Sequence, residues 1–152
     1  MATTGDSGRS WFVDANVFVF AANESSPWHA AALERLGQAR SEGISLVVSP
    51  QILREFAAAA SRPAPESSPP PLEPILENVR RIRAACVLFD ENATTVDRLI
   101  DLLRTVATHG KQVHDANIVA TMLAHGCTTL LTHNVADFNR FRSLIQIIPL
   151  AS

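Results

Sequence analysis

From residue 11 the chain alternates short apolar runs with longer amphipathic stretches. Trp11, Phe12 and Val13 suit a buried strand, and Asp14 then Asn16 interrupt the run where that strand should end. Ser25, Ser26 and Pro27 read as a helix start with the proline near its first turn, and Ala31, Leu33, Leu36 and Ala39 carry the helix toward Gly43. The stretch ISLVV at 44 to 48 predicts a second strand. Ser49 is expected to cap the helix PQILREFAAAASR, with Pro50 in its first turn, and that helix should stop before Pro63. The proline-rich stretch from 63 to 71 can hold neither helix nor ladder and predicts an exposed connection.

Beyond it, Ile75, Leu76, Val79 and Ile82 mark one face of a helix beginning at Leu72, which leads into a short strand, CVLF at 86 to 89. Asn92 is placed to cap the next helix, whose expected buried stripe is Val96, Leu99, Ile100 and Leu103. A further helix should begin near His114 and end at Gly126; TTLLT then predicts a strand, and LIQIIPL, after a short helical turn, the last one. Strands alternating with helices imply an α/β fold, a three-layer α/β/α sandwich around a central parallel sheet joined by right-handed crossovers. In open sheets of this kind ligands bind beyond the carboxyl ends of the strands, where strand order reverses.

Composition narrows the class. The 152 residues fit one domain, and 47% hydrophobic with 18% charged residues is the balance of a chain that folds around a core. The organisation expected is a disordered segment over residues 1–10 and a single domain over 11–150. A formal net charge of -2 gives no global pull toward nucleic acid, so contact with it must come from local clusters. Cys86 and Cys127 form no CxxC pair and read as small core residues. The polar start and the lack of an apolar run of spanning length make a reducing cytoplasm, with no membrane association, the expected setting.

Four acids then stand out. Asp14 falls among Phe12, Val13, Val17 and Phe18 at a strand end, where a charge is costly unless it has a ligand; the alternative is that it caps a short helix that follows. Glu55 shares a helical stripe with Ile52, Phe56 and Ala59 and should point inward, leaving a metal or a distant basic group as its partner, or a core salt bridge as the alternative. Asp115 shares a face with Ile118, Val119 and Met122, although a helix start favours aspartate for its own reasons. Asp137 lies just beyond TTLLT, with Thr132 and Asn134 offering further oxygens and Phe138 able to anchor the turn. Carboxylates clustered at one sheet edge repel one another and are stable at neutral pH chiefly around divalent cations, and hard oxygens suit Mg2+ or Mn2+. Such a site points to hydrolytic phosphodiester cleavage with water as nucleophile.

Four segments in this order resemble the PIN-domain family: VDANVF as its opening strand, QILREF as the helix with its glutamate, VHDANIVATMLAHG as the helix with its third acid, and LLTHNVADFNRF as the fourth. The resemblance runs from Trp11 to about Pro149. It implies that Asp14, Glu55, Asp115 and Asp137 surround the metal, with Asn16, Thr132 and Asn134 as auxiliary groups. Small stand-alone members with this layout resemble VapC toxins, which implies an Mg2+-dependent endoribonuclease that dimerises and is silenced by a VapB-like antitoxin whose tail enters the active site. Many relatives carry an acid where Asn134 stands, so whether Asn134 or Asp137 is the closer ligand stays open.

The remaining signals exclude more than they add. The five histidines make no HExxH or Cys/His zinc set, and no GxxxxGK[ST], GxGxxG or GxSxG string occurs. Arg54, Arg140 and Arg142 flank the acidic motifs and are the candidate RNA contacts; Arg80, Arg81 and Arg83 read first as a solvated helix face. Two other classes remain: a catalytically weak PIN-like RNA-binding or interaction module, and small-molecule phosphoryl chemistry, which the DANVF start without a partner lysine disfavours.

Overall fold

The computed structural model describes residues 9–151. The expectation of disorder for residues 1–10 lies, over residues 1–8, outside the described residues; Ser10 already belongs to the first strand. Five strands, β1 (Ser10–Val13), β2 (Ser45–Val48), β3 (Val87–Leu88), β4 (Thr129–Thr132) and β5 (Gln146–Pro149), form one parallel sheet in the order β3-β2-β1-β4-β5. The chain steps outward from β1 through β2 to β3, then returns to the other side of β1 with β4 and β5. Strand order therefore reverses between β1 and β4, and a crevice opens beyond their carboxyl ends.

Among the described residues, seven helices flank this sheet in the expected α/β/α arrangement: α1 (Ala15–Ala21), α2 (His29–Ser41), α3 (Pro50–Ala60), α4 (Leu72–Ala85), α5 (Ala93–Thr105), α6 (Gln112–Ala124) and the single turn α7 (Val135–Phe138). The three inner strands are the most buried, as parallel strands between helices must be: Phe12, Val13, Val48, Leu130 and Leu131 have no exposed surface. Burying side chains of this size stabilises the fold by about 1.5–3 kcal/mol each. Gly126, at a φ of 76°, ends α6 where a left-handed residue is required.

Several elements differ from the pattern. In the sequence, helix α1 enters only as the alternative role for Asp14, because its β-branched and aromatic residues have weak helical preference; burial of Ala15, Val17 and Phe18 outweighs it. Helix α2 starts at His29, after Pro27, and Leu33 on its expected inner face is 49% exposed while Ala32 is buried. Ser49 holds the capping position of α3, but its side chain makes no capping bond; the Glu91 carboxylate accepts from the Gln51 backbone N–H across 2.9 Å instead. Asn92 caps α5 as expected, in a reciprocal box with Thr95. The α5 stripe is the largest departure: Val96, Ile100 and Leu103 face solvent, and Leu102 and Thr95 are the buried residues. The connection from 63 to 71 is exposed, and Cys86 and Cys127 are free and buried, as expected.

Candidate metal centre

Asp14 follows the last residue of β1 and caps α1, so the strand-end position and the capping role are both correct. Its Oδ1 accepts from the Ala15 N–H at 2.8 Å, and its Oδ2 accepts from the Thr132 hydroxyl at 2.7 Å and from the Asn16 amide at 3.4 Å. Thr132 ends β4, and its Oγ1 also accepts from the Asn134 N–H at 3.0 Å, while Asn16 Oδ1 accepts from the His133 N–H at 3.2 Å. The parallel pairing of β1 with β4 thus brings Asp14, Asn16, Thr132 and Asn134 into one hydrogen-bonded group at the crevice.

Glu55 lies on α3, partly buried beside Ile52 and Phe56, as its stripe predicts. Its partner is neither a distant base nor a salt bridge but the amide of Gln51 one turn earlier, whose Nε2 donates to Glu55 Oε2 at 2.8 Å and to the carbonyl of His114 at 2.9 Å. Gln51 Oε1 accepts from Asn117, and Asn117 donates also to Glu91. This network joins the start of α3 to α6, the helix that carries Asp115 in its first turn. Pattern reading missed Gln51, Glu91 and Asn117. The signal for the first was its i, i+4 spacing from Glu55, with Asn117 two residues beyond Asp115.

Asp115 is partly buried over Ile118, Val119 and Met122, all nearly or fully enclosed. Asp137 and Asn134 are exposed, and Phe138 anchors their turn in the core at 1% exposure. Arg54 is exposed. Arg140 is only partly so: its guanidinium donates to the Ala107 carbonyl and to Gln112 Oε1, tying the turn after α7 to the start of α6. Arg140 and Arg142 also line a shallow depression of about 410 Å³.

The electrostatics link the acids. Burial, then the charges of Glu55 and Asp137, push the Asp14 carboxyl up to about 6, against the opposing bonds from Thr132 and Ala15. Burial, then the charges of Asp137, Asp14 and Glu55, push Asp115 up to about 6, with Arg140 acting weakly against them. None of the four carboxylates has a salt-bridge partner among the described residues. Repulsion among hard oxygen donors that no salt bridge relieves fits a divalent cation. As the side chains stand, however, no three His, Cys, Asp or Glu groups of the described residues are arranged to hold a metal ion. The bonds from Thr132, Asn16 and Gln51 hold Asp14 and Glu55 where they are.

The fold is shared with solved structures. The VapBC2 complex of Rickettsia felis bound to a DNA fragment from its promoter matches with a TM-score of 0.66 at 17% identity, over 92% of this chain and 98% of that one. VapBC-1 of nontypeable Haemophilus influenzae matches at 0.63 and 18% identity, over 93% and 98%. The Mycobacterium tuberculosis toxin VapC20, described as cleaving the sarcin-ricin loop, matches at 0.58 and 15%, over 78% and 85%. Among curated protein sequences none matches the chain. The PIN-domain family model matches residues 11–144, nearly the whole sequence and all four acidic segments. The chain belongs to the PIN-domain family.

Proposed function

We propose that this chain is a metal-dependent endoribonuclease, hydrolysing phosphodiester bonds in single-stranded or loop RNA, and the toxin of a toxin-antitoxin pair. The observation that carries the reading is that Asp14 lies within reach of the charges of Glu55 and Asp137, and Asp115 within reach of those of Asp137, Asp14 and Glu55, with no salt bridge to any of the four among the described residues. These four would hold Mg2+ or Mn2+, with Asn16, Thr132 and Asn134 as auxiliary groups and Asp137 as the fourth ligand in place of Asn134. The cation would supply Lewis acidity and lower the pKa of a water molecule. Thr132 and Asn16 orient the Asp14 carboxylate, and Gln51 orients that of Glu55. In the reaction the oxygen of water bonds to phosphorus, one P–O bond to a sugar oxygen breaks, and that oxygen leaves with a proton. Arg54 and Arg140 contribute phosphate attraction, Arg140 chiefly by bracing the wall of the site.

Residues 11–150 are the functional unit, acting in the cytoplasm. No described helix is long and apolar enough to cross a membrane. The VapBC complexes among the structural neighbours support a VapB-like antitoxin as partner. A homodimer is supported by the exposed α5 stripe of Val96, Ile100 and Leu103, flanked by Asp97, Asp101, Arg98 and Arg104, whose opposite charges suit antiparallel pairing with a second copy. A second reading, a catalytically weak RNA-binding or interaction module, is favoured by the lack of a preassembled three-ligand group among the described residues. Incubation of RNA with Mg2+, Mn2+ or chelator separates the two. The expected result is cleavage with either metal, stopped by chelator and abolished in Asp14→Asn and Asp115→Asn; full activity in both variants would end the ligand assignment.

A further inference from the structure

Beside the carboxylates, three aromatic rings meet at the surface. Trp28, immediately before α2, is 37% exposed, and its ring lies 4.4 Å from that of His133, tilted by 50°. Phe20, near the end of α1, meets the His133 ring edge-on, with the ring centroids 5.2 Å apart. His133 sits between Thr132 and Asn134, and its backbone N–H donates to Asn16 Oδ1, while the Asn16 amide donates to Asp14. The backbone that carries the His133 ring is therefore tied through Asn16 to Asp14, which places the aromatic cluster beside the acidic group. The backbone around Trp28 is tied down as well: the Trp28 backbone N–H donates to Ser26 Oγ at 3.0 Å, and the His29 ring bonds the Phe20 carbonyl at 2.9 Å.

A large ring partly open to water and packed against a second ring, itself met edge-on by a third, is a flat apolar surface matched to another flat ring. Every nucleobase offers such a face once it is unpaired, whereas bases in a duplex stack on their neighbours. We propose that Trp28, supported by His133 and Phe20, is a stacking platform for an unpaired base next to the phosphodiester that enters the carboxylate crevice. The proposal rests on the nuclease reading for its substrate. It adds a binding site that makes unpaired sequence a requirement of contact and not only of access.

The chain has two tryptophans, and Trp11 is buried at 8% exposure, so Trp28 emission reports the platform directly. The full chain, and a Trp11→Phe form in which Trp28 is the single tryptophan, are titrated in chelator with single-stranded oligoadenylate and with a duplex of equal length. Emission should be quenched by the single strand and not by the duplex. In cleavage assays Trp28→Ala should raise KM for RNA about tenfold with kcat within about twofold, and Trp28→Phe should restore most of the loss. Unchanged emission with the single strand, equal quenching by duplex, or an unaltered KM in a folded Trp28→Ala protein would overturn the platform. So would emission that responds to an apolar peptide but not to the nucleotide. Wild-type protein that quenches yet cleaves no RNA with either metal would leave the platform standing and remove the nuclease reading instead.

Discussion

The Thr132 hydroxyl donates to Asp14 Oδ2 across 2.7 Å, joining residues 118 positions apart at the ends of neighbouring strands. The bond favours the ionised form of a carboxyl that burial and neighbouring charges drive toward neutrality. Thr132→Val should therefore raise the Asp14 pKa further and increase the metal concentration for half-maximal cleavage about tenfold, as loss of a ligand-orienting bond does elsewhere. Thr132→Ser should restore the wild-type requirement. A metal titration of the cleavage rate checks both, and an unchanged requirement in Thr132→Val would separate this hydroxyl from the site.

The shifts of Asp14 and Asp115, from 3.8 to about 6, also set a pH dependence for the metal-free protein. Below the unfolded value both states are protonated. As pH rises from about 4 to about 6, the unfolded chain releases two protons that the folded chain retains, so these groups make the fold progressively less stable, and above that window the loss is complete. Thermal unfolding in chelator should show this decline diminished in an Asp14→Asn, Asp115→Asn double variant. Mn2+ should raise the wild-type Tm at neutral pH and do so much less near pH 5, because binding must expel those protons.

Gln51 uses its whole amide: one oxygen accepts from Asn117, and its nitrogen donates to Glu55 and to the His114 carbonyl. Gln51→Leu keeps the volume and removes all three bonds. The expected outcome is a stability loss of about 1–3 kcal/mol from the unpaired groups left behind. In addition kcat should fall about tenfold, with a raised metal requirement and an unchanged KM for RNA. Loss of stability alone, with normal kcat and metal response, would make the network structural only.

Ile100 is 48% exposed in the middle of the outward α5 stripe. If that face covers a second copy, Ile100→Glu should convert a dimer to a monomer in sedimentation or light scattering while leaving the Tm of the monomer nearly unchanged. A wild-type chain already monomeric at high concentration would remove the dimer.

The strands were legible because a parallel sheet buried on both faces forces continuous apolar runs, such as Trp11 to Val13 and Leu130 with Leu131. The inward positions of Asp14 and Glu55 were legible for a related reason: charge among buried apolar neighbours stands out in a one-dimensional pattern. The α5 stripe misled because periodicity finds an apolar face without saying what covers it. Val96, Ile100 and Leu103 satisfy the helical repeat, yet the helix turns Thr95 and Leu102 inward. The partners of Glu55 were invisible because Gln51 and Asn117 are ordinary polar residues whose meeting depends on how α3 packs near α6. The aromatic cluster of Phe20, Trp28 and His133 is likewise a product of the fold, since β4 delivers His133 to residues more than 100 positions earlier.

The most direct test is equilibrium Mn2+ binding by calorimetry to the wild-type chain, Asp14→Asn and Asp115→Asn at neutral pH. The four-carboxylate account predicts metal binding accompanied by proton release in the wild type, weakened at least about tenfold in each folded variant. Absence of binding by the wild type, or equal affinity in all three proteins, would contradict it.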